Sequence, residues 1–334
     1  MSADPSAPVE TGARSAPSGL VLSRRLFEVR GRAVLERLDL LDRCAVGCIG
    51  STSQNAGLDD AASRDHAWGP YLTFFLFEED WAASHERLQE AVQEMPDEVD
   101  GVRWVGYGGP TPRRTGVCSV LPFLRSITGF QRRPQTSQEW LPYLTRASFL
   151  GRRWTERLFD AGQGEVFHDP GGRFTALWRE WTAYVPPDVH RALLARGLFR
   201  LWNAGPEYNL ARIHGRGDPL AFSLCLARFV NEVLELAFTW NGRYVPAFKW
   251  RAAHFRRLPL LPPVVRHGVE ALCAARDVQA QLTTAHEIIR AVKALLLDRY
   301  QPQVAPEAQL SAFAHAIRAS IEDEAVRQHA SLDW

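Results

Sequence analysis

The sequence of 334 residues predicts an α+β protein, with an α/β first half and an all-helical second half. Three observations carry this reading. Two short apolar runs, residues 44–49 and 71–77, are too short for ordinary helices and are separated by polar chain. Beyond residues 164–174 no strand pattern recurs. There, apolar residues return at helical spacing over long stretches that open at prolines.

In chain order, residues 1–18 are mostly Ser, Ala, Pro and Gly with scattered charges, and a disordered tail is expected because little apolar surface offsets the cost of ordering them. Residues 20–41 carry Leu22, Leu26, Val29, Ala33, Leu38 and Leu41 at the spacing of an amphipathic helix. Residues 44–49 read as a buried strand, broken by Gly50-Ser51. Residues 71–77, β-branched and aromatic, read as an interior strand. A helix over 81–94 follows, with Glu78, Glu79 and Asp80 suited to its positive N-terminal end. Residues 102–107 and 116–121 are expected strands, joined through a turn at Gly108, Gly109 and Pro110. Helices are expected over 176–184, 189–203, 219–241, 263–297 and 306–329. The predicted division is an α/β domain at 19–150 and a helical-bundle domain at 151–334, with no internal repeat.

Composition narrows the function classes. With 46% hydrophobic and 23% charged residues the chain is of ordinary globular type, and a net charge of +1 gives no global pull towards nucleic acid or an anionic membrane. Any anion site must be built locally. No apolar run approaches the roughly 20 residues that cross a bilayer, and residues 1–18 lack signal-peptide regions, so a cytoplasmic protein without a membrane partner is expected. Cys44, Cys48, Cys118, Cys225 and Cys273 match no zinc or redox spacing and are expected to be small buried thiols.

Chemistry concentrates between residues 45 and 70. Gly50-Ser51 stands at a strand end, Ser53 two positions on, and Asp65 before the next strand. A Gly-Ser turn brings backbone amides and a hydroxyl close to phosphate oxygens. A carboxylate can hold the magnesium that bridges phosphates and activates an attacking hydroxyl.

An apolar residue, Gly-Ser, a spacer and Asp-x-Asp resembles the signature of the DNA-polymerase-β-like nucleotidyltransferase superfamily, at Ile49, Gly50, Ser51 and Asp65. The segments Ser-Arg-Asp-His-Ala-Trp-Gly-Pro at 63–70, Gly-Glu-Val-Phe-His-Asp at 164–169 and Tyr-Val-Pro-Ala-Phe-Lys-Trp at 244–250 resemble an uncharacterised bacterial branch of nucleotidyltransferase-like domains. The resemblance implies a small mixed sheet with flanking helices, then a helical bundle. It implies transfer of a nucleoside monophosphate from a nucleoside triphosphate to a hydroxyl of a small molecule or protein, with Mg2+ as cofactor. Gly50, Ser51 and Ser53 would hold phosphates, Asp65 the metal, and Lys249, Tyr244 and Arg212 would serve the nucleotide from the helical half. The sequence departs from the pattern at Ala67, where Asp-x-Asp needs its second carboxylate.

Other residues admit two readings. His66 is a structural histidine or a base beside Asp65; Asp59 and Asp60 are loop charges or substitute ligands. Lys249 is a solvated helix-end cation or a phosphate contact. Arg212, with Tyr208, Asn209, Arg216 and Asp218, lies in a polar stretch between helices. Glu232 and Glu235 are candidate general bases whose face on their helix periodicity does not decide. The alternative to transfer is a degenerate nucleotide-binding or protein-interaction module.

Overall fold

The chain begins its ordered course with a capped helix. The computed structural model describes residues 17–106, 115–145 and 153–329, so the expected tail lies outside them except for Pro17 and Ser18. Ser18 caps α1 (Gly19–Leu26), accepting from the Val21 amide. A π-helical turn, Phe27–Gly31, and α2 (Arg32–Arg37) continue it, ending four residues before the predicted helix end. Gly31 sits at the π turn, where an added Cβ would stand 3.0 Å from Leu72 Cδ1.

β1 (Cys44–Ile49), β2 (Thr73–Leu76), β5 (Gly116–Ser119) and β6 (Gly164–His168) form one mixed sheet in the order β5-β2-β1-β6. β1 runs antiparallel to β2 and β6, while β2 and β5 are parallel and linked through α3 (Glu78–Glu94), the helical crossover a parallel pair needs. Strand alternation sends Val46, Phe74 and Leu76 into a core with Leu22, Leu26 and Leu35 of the first helices and Leu88 of α3. Phe75 points oppositely and stacks on Phe174, 4.1 Å between ring centroids. Glu78, Glu79 and Asp80 form the first turn of α3 rather than preceding it.

The expected strand at 102–107 is instead a two-stranded hairpin, β3 (Glu98–Val99) with β4 (Val102–Arg103), extended by one bridge between Trp68 and Val105. Asp100 (φ 52°) and Gly101 (φ 76°) make the left-handed turn that ties this segment back on itself. The expected turn at Gly108, Gly109 and Pro110 lies outside the described residues.

The remainder is helical: α4 (Val120–Thr128), α5 (Leu141–Thr145), α6 (Trp154–Ala161), α7 (Arg173–Thr182), α8 (Pro187–Ala204), α9 (Asn209–Gly215), α10 (Pro219–Trp240) and α11 (Phe248–Phe255). The predicted helix over 263–297 is two, α12 (Pro263–Ala274) and α13 (Val278–Tyr300), because Asp277 caps the second by accepting from Ala280 N at 2.7 Å. That over 306–329 is likewise α14 (Leu310–Ala319) and α15 (Glu324–His329). Leu198, Phe229, Leu236, Ile288 and Phe313 centre one apolar core among these helices.

Two compact units result: residues 1–122 with 163–175, and residues 123–162 with 176–334. The single boundary expected at 150/151 is therefore replaced by an interleaved division, since β6 follows the first helical segment yet pairs with β1. Of the five cysteines, Cys273 is exposed and Cys118 half-buried, against the expectation for all five. Among the described residues no helix is long and apolar enough to cross a membrane.

Candidate functional site

β1 ends in a sharp turn. Gly50 has φ 110°, a conformation that side chains rarely adopt, and no atom lies within 4 Å of where its Cβ would be. The turn is braced from within. Buried Asn55 donates from Nδ2 to the Gly50 carbonyl (3.0 Å) and to the Tyr71 hydroxyl (2.8 Å), and the Asn55 amide donates to Thr52 Oγ1 (3.2 Å). Gln54 Oε1 accepts from Gly69 N (3.0 Å), tying the turn to the segment before β2. Ser51 is exposed on this frame and Ser53 half-buried, its carbonyl accepting from Leu58 N (2.9 Å).

The acids nearby are less available than their spacing suggests. Asp59 Oδ2 accepts from Gly19 N (2.7 Å) and Trp68 Nε1 (2.9 Å), fastening the start of α1 to the indole. Asp60 caps the short turn at Ala61–Arg64, accepting from the Ser63 hydroxyl and amide, and these bonds hold its carboxyl below the usual range. Arg64 stacks its guanidinium 4.8 Å from the Trp68 ring. Both aspartates are thus spent on holding the fold. Asp65 remains exposed, with His66 Nδ1 2.6 Å from its Oδ1. Ala67 is buried at φ 50°, in a left-handed conformation unusual for alanine.

A magnesium pair needs several carboxylate oxygens in octahedral array. Among the described residues no group of three or more His, Cys, Asp or Glu is placed to hold a metal ion. The donors around Asp65 do not fit a two-metal centre.

The helical-half candidates have separate surroundings. Tyr244 is buried, its hydroxyl donating to the Ala183 carbonyl (2.8 Å) and its ring packed against Trp154 and Tyr184; burial pushes its ionisation up. That makes it a core residue with its hydroxyl committed. Lys249 is exposed on α11 over the Trp250 ring (4.7 Å), and Arg212 is exposed on α9 over the Tyr208 ring (4.9 Å).

Sequence reading named Glu232 and Glu235 but missed what surrounds them. Arg251, 3% exposed, bridges Glu235 (2.8 Å) and Glu156 (3.1 Å) and donates to Asn231 Oδ1. Arg153 also pairs with Glu235, so that carboxylate is fully committed. Glu232 is not. It lines a cavity of about 450 Å³ with Arg196 and Arg200 of α8 and Arg228 of α10, and the i, i+4 spacing of Arg196 with Arg200 and of Arg228 with Glu232 was the signal available in the sequence.

The segment at 164–169 is structural in this setting. Gly164 (φ 114°) lies so close to β1 that a Cβ would stand 2.0 Å from the Cys48 carbonyl oxygen. His168 Nε2 donates to the Leu41 carbonyl (2.7 Å), and Asp169 accepts from Thr175 N (2.7 Å) at the start of α7.

Comparison with known proteins finds a match over residues 153–251 to the model of a domain of unknown function, DUF4037. That span contains the segments at 164–169 and 244–250, while residues 63–70 lie outside it. No curated protein matches. Among solved structures, a nucleotidyltransferase-like protein from Exiguobacterium sibiricum 255-15 is similar over 89% of each chain, at 9% identity and a TM-score of 0.32. A likeness that loose carries no argument by itself. The fold of this chain is, on its own coordinates, α+β with a small mixed sheet and a helical remainder.

Proposed function

We propose that this chain is a nucleotide-binding protein of the nucleotidyltransferase-like kind, in which the turn after β1 receives the phosphates of a nucleoside triphosphate and group transfer has been lost. The observation that supports it most is the Gly50 turn. Its open left-handed glycine, braced by Asn55, leaves Ser51 exposed at a strand end, where the Ser51 amide and hydroxyl can approach phosphate oxygens while the Gly50 and Thr52 amides hold the turn. Against Mg2+-dependent transfer to a hydroxyl acceptor stand Ala67 and the local bonds of Asp59 and Asp60. Asp65, exposed and paired with His66, is then not half of a metal pair.

Equilibrium dialysis with labelled ATP and GTP, with and without magnesium, tests this. Binding that persists in EDTA and in Asp65→Ala but falls at least tenfold in Ser51→Ala is expected. Release of pyrophosphate on incubation with magnesium would replace this reading by an active transferase, and failure of both triphosphates to bind would end it.

A further inference from the structure

In the helical unit α8 and α10 pack closely at Gly197, where an added Cβ would stand 2.9 Å from Leu236 Cδ1. Beside that contact lies the 450 Å³ cavity, large enough for a sugar phosphate or mononucleotide. Arg196 and Arg200 on α8, and Arg228 and Glu232 on α10, are each one helical turn apart, so each helix lines the cavity with one stripe. Five arginines and two glutamates contribute to its wall, all from the helical unit.

Two features of this wall have no use within the fold. Among the described residues no carboxylate pairs with Arg200 or Arg228. Arg196 is anchored, donating to the Leu144 carbonyl (2.9 Å), yet burial and the neighbouring Arg200 charge drive its pKa down to about 10. With five arginines against two glutamates in the wall, and Glu235 already held by Arg153 and Arg251, the wall carries surplus positive charge that an anion can meet. The second feature is Glu232, 8% exposed and with no hydrogen-bond partner among the described residues. Its carboxylate oxygens open onto the cavity, where a donor on a ligand can reach them. Glu235, three residues on, shows what satisfaction looks like on the same helix: two arginines and an asparagine hold it.

We infer that this cavity binds a small phosphate monoester bearing hydroxyl or amino donors, with the phosphate on Arg200 and Arg228 and a donor on Glu232. Inorganic phosphate fills only the arginine end. The site stands in the helical unit and does not depend on the reading of the Gly50 turn.

The test is calorimetric titration of the full-length protein at low ionic strength with ribose 5-phosphate, AMP, inorganic phosphate and ribose. At least one of the two esters is expected to bind at least tenfold more tightly than inorganic phosphate, and ribose not to bind. The Arg200→Gln/Arg228→Gln double variant is expected to lose tenfold or more, while Ser51→Ala and Asp65→Ala bind the ester as the parent does. Glu232→Ala is expected to bring the ester down to the affinity of inorganic phosphate. Melting curves without ligand separate lost binding from lost folding, and the single Arg228→Gln, at an exposed position, serves if the double variant does not fold. The inference is overturned if neither ester binds, if the folded arginine variants bind it unchanged, or if Ser51→Ala abolishes binding. Equal affinity of the parent for ester and inorganic phosphate overturns the role given to Glu232.

Discussion

Charge is handled differently in the Gly50 turn and in the cavity beside α8 and α10. Around the turn, Asp59 and Asp60 close helix starts and Arg64 covers an indole, so the charges nearest the sequence motif maintain the fold. In the helical unit Arg200, Arg228 and Glu232 are brought together and left without mutual satisfaction. A polar group placed at some cost and not used by the fold is a better pointer to a ligand than a carboxylate at a familiar spacing.

Four substitutions break or sharpen this contrast. The largest effect is expected from Gly164→Ala, which forces a side chain into a left-handed position against the Cys48 carbonyl. A loss of about 4 kcal/mol in urea unfolding is expected, by strain and overpacking together. If the cavity ligand still binds in the damaged protein, the two regions are independent; if not, the contrast is between parts of one cooperative body. Next, Arg251→Met leaves Glu156 without a cation and Glu235 with Arg153 alone, and is expected to cost about 3 kcal/mol by the same measurement. A loss below about 1 kcal/mol would show that this buried knot contributes little to stability.

Third comes His190 on α8, whose pKa burial and nearby Arg299 and Arg191 lower to about 4. The native state then binds fewer protons than the unfolded state between about pH 4 and the unfolded value near 6.5, so stability rises with pH across that window and is lost on acidification. Chemical denaturation of His190→Gln at pH 4.5 and 7 is expected to lack about 2 kcal/mol of that slope.

The smallest effect, opposite in sign, belongs to Glu232. Burial foremost, with Glu235 adding repulsion, raises its pKa against the attraction of Arg200, Arg228 and Arg153. The native state therefore holds a proton the unfolded state has released, and stability drains as pH rises above the unfolded glutamate value. Glu232→Gln is expected to stabilise the unliganded protein by about 1 kcal/mol at pH 7.5 and to make no difference near pH 4. A destabilised variant at pH 7.5 would mean that Glu232 is already satisfied, and the contrast with the turn would narrow.

How far the sequence revealed this depends on whether a feature is local. The strands at 44–49 and within 71–77, the helix after them and the helix over 219–240 were legible because periodicity and caps report on neighbouring residues. The Asp100-Gly101 turn and the Asp277 cap were equally local signals, and without them a hairpin reads as one strand and two helices read as one. The sheet order was not legible, since nothing near residue 164 announces pairing with residue 49. At the candidate site, spacing pointed to the Gly50 turn, whereas the commitment of Asp59 to Gly19 joins residues 40 apart in sequence. The cavity needed still more. α8 and α10 bury apolar residues on several sides, so only the packing at Gly197 shows which arginines share one wall.

The return of β6 to the sheet also constrains how the protein is made. A ribosome that has released residues up to 162 has supplied β5, β2 and β1 but not the strand that covers the open edge of β1. Until Gly164–His168 emerges, that edge presents unpaired backbone groups to any extended chain nearby. A gene fragment cut between residues 150 and 151 makes that unfinished state permanent, and its product should be recovered as aggregate.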